Sequence, residues 1–217
     1  MKLLCISDLH GNEPALGRIL RHAGAFDRIV FSGDITNFGV PSDATRLVRL
    51  AEAQCKPVHA VAGNCDSAEI EAAIQEMGVS LHAQGLVSGG VAFQGVSGAP
   101  LWRPGMHGYS EAAMRTALDT GYSQSTEAER RVVVCHAPPH GCKADRSNFA
   151  SHIGSQAVRS FVDDRHPDLV VCGHVHEARG IDQIGPTVVV NCGSANSGYY
   201  ALIELNAEIV VELRAVE

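Results

Sequence analysis

Residues 2–12 read KLLCISDLHGN, an apolar run that passes directly into a polar turn. The run is short and is flanked by turn formers, which predicts a buried β-strand. Asp8 and His10 lie two residues apart, so in an extended chain their side chains leave on the same side. Gly11 turns the chain, and Pro14 takes an early helical position where its missing N–H costs least. A carboxylate and an imidazole between a strand and a helix indicate a candidate metal site in an α/β protein.

Strands and helices continue to alternate through residue 77. Such alternation predicts a parallel sheet, in which the carboxyl ends of the strands meet at one edge. Polar turns follow the second and third strands, with the sequences GDITNFG and GNCD. These two strands are predicted over residues 27–31 and 58–61, and helices over residues 13–22, 42–54 (with Ser42 as N-cap) and 68–77.

The remainder of the chain is richer in strands. Short apolar runs separated by glycines over residues 79–96 predict antiparallel strands. The glycine- and proline-rich loop 97–109 contains Trp102 and His107, which either line a pocket or are an ordinary core tryptophan and surface histidine. We therefore predict one domain over residues 1–217, built from two packed sheets flanked by helices. Further strands are predicted over residues 131–135, 168–172, 180–184, 186–190, 199–205 and 208–214, and helices over residues 110–120 and 155–164.

Composition and charge narrow the classes of function. At 217 residues one domain can bury a sizeable core. A formal charge of −7 with scattered Lys and Arg predicts no stable nucleic-acid complex. No apolar stretch approaches the roughly 20 residues that cross a bilayer. Seven cysteines without a CxxC pair argue against a disulfide scaffold, and this favours a cytoplasmic protein without membrane partners. A homo-oligomer remains compatible with the sequence.

Five predicted strand ends carry residues that can bind metal ions. Each alone has an ordinary explanation as a turn residue or a satisfied polar group, but their coincidence at five strand ends favours a metal centre. Carboxylate, imidazole and amide ligands favour Mn, Fe, Co or Zn over copper or an iron–sulfur cluster. Two such ions would suit an in-line attack on phosphorus. The residues are Asp8 and His10, then Asp34, then Asn64 with Cys65 and Asp66, then His136, and finally His174 with His176.

Together the motifs DLHG, GDITNFG, GNCD, CHAPPHG and GHVH resemble the calcineurin-like metallophosphoesterase superfamily, in the family's order along nearly the whole chain. The GNCD variant is similar to a branch of small, single-domain prokaryotic phosphodiesterases. The resemblance implies an α/β fold, a β-sandwich of two mixed sheets flanked by helices in four layers, α/β/β/α. It also implies two divalent transition-metal ions, with Mn, Fe and Zn as candidates. One ion would be held by Asp8, His10, Asp34 and His176, and the other by Asp34, Asn64, His136 and His174, with Asp34 bridging.

The activity that this resemblance implies is hydrolysis of phosphoester bonds by attack of a metal-bridged hydroxide. A phosphodiesterase acting on a small phosphoester, or on a nucleotide, is favoured over a phosphomonoesterase of broad specificity. A non-catalytic binding scaffold with the same fold is the main rival from another class, but such relatives have broken ligand sets, and here every ligand position is filled. A nuclease would be expected to show a basic groove or an added capping domain, which the sequence lacks.

Two positions depart from the common family pattern. Most relatives have, where Cys65 stands, a histidine that stabilises the transition state or protonates the leaving oxygen. A thiol is a weak donor and a poor general acid, so Cys65 is either a participant or a small filler beside the site. Protein phosphatases of the superfamily carry a phosphate-gripping arginine where Phe38 stands, which argues against a phosphoprotein substrate.

The resemblance also implies which residues take part in catalysis. Asp66 is expected to orient a neighbouring ligand. His140, just past a ligand loop, either contacts substrate or lies in a solvated loop. The predicted set is Asp34, Asn64, Cys65, Asp66 and His140.

Overall fold

The structure is a computed structural model, and it describes residues 1–101, 104–148 and 151–216. Trp102, a candidate for lining a pocket, lies outside the described residues. Within them, no helix combines the length and the apolar character that crossing a bilayer requires. The helices are α1 (Glu13–His22), α2 (Pro41–Glu52), α3 (Ala68–Glu76), α4 (Glu111–Ser123) and α5 (Gln156–Arg165).

The strands form two large sheets and one short ladder. They are β1 (Lys2–Ile6), β2 (Arg28–Ser32), β3 (Val58–Val61), β4 (Gly85–Ser88), β5 (Val91–Val96), β6 (Ala99–Pro100), β7 (Gly108–Tyr109), β8 (Arg130–Cys135), β9 (Leu169–Cys172), β10 (Gly180–Ile184), β11 (Thr187–Asn191), β12 (Tyr199–Leu205) and β13 (Ile209–Ala215). One sheet has the order β13-β12-β1-β2-β3, and the other has the order β10-β11-β9-β8-β5-β4, while β6 pairs with β7.

Both large sheets are mixed. The predicted parallel pairing of β1, β2 and β3 is confirmed, and β12 and β13 extend that sheet in antiparallel fashion. In the other sheet β11, β9, β8 and β5 run parallel, and β10 and β4 form antiparallel edges. The carboxyl ends of the parallel strands within each sheet therefore share one edge.

Across residues 1–101, 104–148 and 151–216, three apolar cores separate four layers. The core between the sheets contains Leu3, Val30 and Phe93. A second core lies under α1, α2 and α3, with residues such as Leu16 of α1 packed on β1 and β2. A third lies under α4 and α5, around Phe161. This arrangement confirms the predicted fold class, two mixed sheets between helical layers.

Two details differ from the sequence-based prediction. The first helix turn of α2 begins at Pro41, with Val40 rather than Ser42 as the N-cap, because proline suits the first helical position. The Asp43 carboxylate accepts a hydrogen bond from the Val40 N–H at 3.2 Å, which caps the helix in place of a serine hydroxyl. Residues 79–82 form only isolated bridges, one to β3 and one to β5, because the run crosses from one sheet to the other.

His59 is a titratable residue inside the core between the sheets. It lies on β3, is 4% exposed, and stacks on the Phe93 ring with centroids 4.7 Å apart. Its Nε2 has no hydrogen-bond partner among the described residues. Burial, with a smaller effect from the charge of Arg28, lowers the pKa of His59 to about 4. The folded protein thus favours the neutral ring.

This burial predicts acid sensitivity. The pKa of His59 in the folded protein lies below the value of about 6.5 in the unfolded chain. Above pH 6.5 His59 therefore takes nothing from the free energy of unfolding, and this free energy falls as the pH drops from 6.5 towards 4, because only the unfolded chain binds the proton. The shift corresponds to about 3 kcal/mol of unfolding free energy. In chemical denaturation with a chelator present, His59→Phe should lose less stability between pH 7.5 and pH 4 than the wild type. The exposed-histidine control His22→Gln should behave as the wild type, and equal losses in all three proteins would contradict this assignment.

Candidate metal centre

Hydrogen bonds between the two sheets bring their strand ends together. The backbone N–H of His174, which follows β9, donates to the Asp8 carboxylate, which follows β1, at 3.1 Å. His136 follows β8, and its Nδ1 lies 3.0 Å from the carbonyl oxygen of Ser32 in β2. The Cys65 N–H, in the turn after β3, donates to Oδ1 of Asp34 at 2.7 Å. All five predicted strand-end groups therefore meet at one place.

Several of these residues have an unusual backbone. The φ angles of Asp8, His10, Asp34 and His174 are 53°, 50°, 48° and 68°, all in the left-handed region. Non-glycine residues adopt this region uncommonly, and such conformations concentrate at functional sites. Here the chain is held by neighbouring strand ends, since the His10 N–H donates to the Asp34 carbonyl at 2.9 Å.

One group of possible ligand atoms comes from Asp8, His10 and His176, whose atoms lie within 4.8 Å of one another. Nε2 of His176 lies 3.1 Å from Oδ1 of Asp8 and 3.4 Å from Nε2 of His10. Oδ2 of Asp34 lies 3.9 Å from the same His10 atom. Asp8 is fully buried whereas the His176 side chain is 46% exposed, so this group is open to solvent on the His176 side.

A second group comes from Asp8, Asp34 and His136, again within 4.8 Å. Nε2 of His136 lies 3.4 Å from Oδ1 of Asp34 and 3.0 Å from Oδ1 of Asn64. The His174 ring lies beside His136, with centroids 5.0 Å apart. Asp34 thus lies between the two groups.

The facing atoms of His136 and Asn64 test whether a cation fits here. With Nδ1 of His136 donating to Ser32, its Nε2 presents a lone pair to the Asn64 oxygen. The Asn64 amide nitrogen is directed elsewhere, at 3.2 Å from Cys65 Sγ and 3.9 Å from Met106 Sδ. In this neutral tautomer two acceptors face each other 3.0 Å apart, and the contact needs a cation, either a proton on Nε2 or a metal ion. Carboxylate, imidazole and amide oxygen suit a divalent transition metal, so the residues fit such an ion.

The pKa values of the buried groups reflect the same need for positive charge. Burial opposes ionisation of Asp8, but the hydrogen bond from His176 and the charge of His136 outweigh it and lower the pKa. Burial also opposes protonation of His136, but the carboxylates of Asp34 and Asp8 raise its pKa. Burial, with the charge of His136, lowers the pKa of His174 to about 4, which keeps that ring neutral, the form that binds metals.

Two glycines allow the ligand loops to approach closely. At Gly33, with φ 95°, a Cβ would collide with the His136 ring. At Gly63 a Cβ would collide with the backbone nitrogen and carboxylate of Asp34. The turns GDITNFG and GNCD therefore need glycine because a neighbouring ligand residue occupies the space of a side chain.

Cys65 and Asp66 occupy different environments in the same turn. The Cys65 thiol belongs to a third group with His10 and Asp34, again within 4.8 Å. Burial and the charge of Asp34 raise the pKa of this thiol. Asp66 accepts hydrogen bonds from the N–H groups of Gly63 (2.8 Å), Ile35 (3.1 Å) and Thr36 (2.8 Å) and from the Thr36 hydroxyl (2.9 Å). Its carboxylate joins the turns after β2 and β3, a positioning role.

The hydrogen bonds of His140 join it to residues outside these groups. Its N–H donates to the Ser155 carbonyl at 3.0 Å, and its own carbonyl accepts from Arg159 at 3.2 Å. Its ring lies beside that of His152, with centroids 5.7 Å apart. Among the described residues none of these partners is a predicted metal ligand, and a catalytic role for His140 stays a prediction.

Asn191 is a supporting residue that the sequence did not reveal. It is fully buried at the end of β11, and its amide nitrogen donates to the carbonyls of Gly173 (3.3 Å) and Val175 (2.9 Å), on either side of His174. The Ser194 hydroxyl similarly donates to the Asp8 carbonyl at 3.1 Å. A buried asparagine at a strand end in VVVNCG was the available signal, but its partners are distant in sequence.

The Gly63 contact yields a direct test. Gly63→Ala should displace Asp34, lower the free energy of unfolding by about 1–3 kcal/mol as overpacking typically does, and reduce the bound metal. The control is Gly180→Ala, whose Cβ would meet its nearest atom at an ordinary 3.7 Å. Denaturation and metal analysis of both variants are the measurements. Unchanged metal content and stability in Gly63→Ala would contradict the close approach.

Comparison with known proteins agrees with this geometry. A family model described as calcineurin-like phosphoesterase matches residues 1–178. An uncharacterised protein of Methanocaldococcus jannaschii is 31% identical over 199 residues, which cover 88% of this chain and 87% of that protein. The match to the family model spans all five predicted strand-end groups.

Solved structures show the same fold. The crystal structure of TT1561 of Thermus thermophilus has a TM-score of 0.79 at 20% identity, covering 100% of this chain and 99% of that one. A putative 5′-nucleotidase from Staphylococcus aureus has a TM-score of 0.62 at 14% identity, covering 99% of this chain and 54% of that one. The chain belongs to the calcineurin-like phosphoesterase family, whose members are dinuclear, metal-dependent hydrolases of phosphoesters.

Proposed function

We propose that the protein is a cytoplasmic phosphodiesterase formed by one domain over residues 1–217, acting on a small phosphoester or a nucleotide. The observation that carries the proposal is the position of Asp34, whose Oδ2 lies 3.9 Å from Nε2 of His10 and whose Oδ1 lies 3.4 Å from Nε2 of His136. A carboxylate shared in this way supports a dinuclear centre. All seven cysteines are free, which agrees with a reducing compartment.

The proposed ligand sets follow the two sides of Asp34. Asp8, His10 and His176 would hold one ion with Asp34, and Asn64, His136 and His174 would hold the other. The candidate ions are Mn, Fe and Zn. Two divalent cations in such a site supply Lewis-acid stabilisation of the phosphoryl oxygens and lower the pKa of water.

The chain's own groups hold and orient that centre. Ser32 fixes the tautomer of His136, and the two sulfur atoms beside Asn64 direct its amide oxygen towards the site. Asp66 holds the turns after β2 and β3 in register. The exposed His176 side chain marks the side from which a substrate can enter.

A diester substrate is favoured over a phosphoprotein because Phe38, rather than a cation, occupies the turn after Asp34. The deciding experiment measures the metal content of untreated protein and its turnover of activated mono- and diesters with Mn²⁺, Fe²⁺ or Zn²⁺ added. Faster turnover of diesters supports the proposal, faster turnover of monoesters favours a phosphomonoesterase, and no turnover of either favours a binding scaffold.

The ligand sets predict which variants lose which ion. His10→Ala and His176→Ala should each lose about one ion from the first set, and Asn64→Ala and His136→Ala about one from the second, because a lost ligand weakens its own ion most. Asp34→Asn should weaken both. Anomalous scattering at the metal edge identifies the missing ion, with His22→Ala as control. Full metal content in Asp34→Asn would overturn the bridging role.

The thiol of Cys65 predicts selectivity for good leaving groups. A histidine at this position could donate a proton to the departing oxygen, and such general acid help is typically worth about 10²–10⁴-fold. Cys65→His should therefore raise turnover of alkyl phosphodiesters more than that of nitrophenyl esters, which leave without protonation. Across a series of leaving groups, the rate should depend more steeply on the pKa of the leaving group for the wild type than for Cys65→His. Equal slopes would mean that Cys65 is a spectator or that another residue, such as His140, is the acid.

A further inference from the structure

Two apolar side chains adjoin the Asn64–Cys65 turn, and neither of them is a predicted metal ligand. Met106 places its Sδ 3.9 Å from the Asn64 amide nitrogen, and the next residue, His107, donates its N–H to the Asn64 carbonyl at 3.0 Å. From the other side, the Phe38 N–H donates to the Cys65 carbonyl at 2.8 Å. The Asn64–Cys65 turn therefore contains a predicted ligand and is contacted by two segments that bear large apolar side chains.

A largely buried carboxylate holds the Met106 loop in place. Glu71 on α3 lies 2.8 Å from Nε2 of His107 and accepts the Tyr109 hydroxyl at 2.8 Å. His82 stacks on the Tyr109 ring, with centroids 4.8 Å apart. His107 is thus a buried anchor of this loop, with its side chain only 8% exposed, and not a surface histidine. Met106 itself remains partly exposed at the end of this anchored segment.

Phe38 is held at an energetic cost that its packing does not offset. It is 60% exposed and has a φ of 54°. Left-handed backbone is unfavourable for a residue with a Cβ, and an exposed ring recovers little of that cost by burial. Lone exposed apolar residues are ordinary on protein surfaces, but a strained aromatic residue hydrogen-bonded to the Cys65 carbonyl is a candidate for contact with substrate.

We propose that Met106 and Phe38 form an apolar rim beside the metal centre that receives a planar aromatic group on the substrate, a phenyl ring or a nucleobase. Thioether sulfur makes favourable contacts with aromatic rings, and phenylalanine packs on them by offset or edge-to-face contact. The phosphoryl group then lies at the metal centre with its aromatic ester group against the rim. This inference rests on the proposed function and narrows its substrate class.

The test measures binding without turnover. Calorimetry on the metal-loaded protein compares phenylphosphonate with methylphosphonate, which present the same anion with and without a ring. The wild type should bind the phenyl ligand about tenfold more tightly, a difference of about 1.4 kcal/mol. Met106→Ala and Phe38→Ala should each reduce that ratio, and the double variant should bring it close to one. The phosphonate analogue of adenosine 5′-monophosphate, which is not hydrolysed, should lose affinity in the same variants.

Matched variants distinguish a contact between the rim and the aromatic group from other effects of the substitutions. Met106→Leu keeps the apolar volume without sulfur and should keep most of the preference, whereas Val40→Ala, at an exposed residue nearby, should keep all of it. An equal affinity for both phosphonates in the wild type, or an unchanged ratio in the double variant, overturns the rim. Hydrolysis of diesters is measured separately. A protein that shows the phenyl preference but hydrolyses no phosphoester refutes the proposed function alone.

Discussion

The burial of Asp8 and Asp34 beside each other is the constraint on which the rest of the site depends. Their carboxylate oxygens lie in one group with His136, and both side chains are almost inaccessible to solvent. Burying two negative charges is costly unless positive charge or hydrogen bonds compensate. The surrounding N–H groups of Cys65 and His174 provide part of this compensation. The hydrogen bond from His176 and the charge of His136 add to it, and divalent cations at the proposed centre would compensate the carboxylates further.

The same constraint explains the unusual backbone. Turning a carboxylate or imidazole inward directly after a strand places Asp8, His10 and Asp34 in left-handed conformations. Each such residue costs of order 1–3 kcal/mol and persists only where its surroundings determine it. The fold supplies these surroundings through hydrogen bonds between neighbouring strand ends and through Asp66, which binds both turns. These hydrogen bonds hold the ligand loops firmly against the strand ends.

Much of the fold followed from local patterns. The apolar runs and glycine turns predicted α1, β3 and β12 at their observed bounds, because strand and helix periodicity are encoded within a few residues. The polar residues at five strand ends predicted one site, because parallel strands align their carboxyl ends. The predicted N-cap of α2 and the predicted strand at residues 79–82 were wrong. They depend on a side chain that competes for the cap and on a crossing between sheets, and neither feature has a local pattern.

The sequence by itself determined the identity of the residues that meet at the strand ends, because residue type and spacing are local properties, and the resemblance of its motifs to a known family implied the four layers. Only the tertiary structure decided how those residues face one another. The lone pairs of His136 and Asn64 meet because β8 and β3 belong to different sheets packed together. Asn191, Met106 and Phe38 acquire their places through contacts between segments far apart in sequence. A one-dimensional pattern does not encode such distances, which arise only when the two sheets pack and close the site.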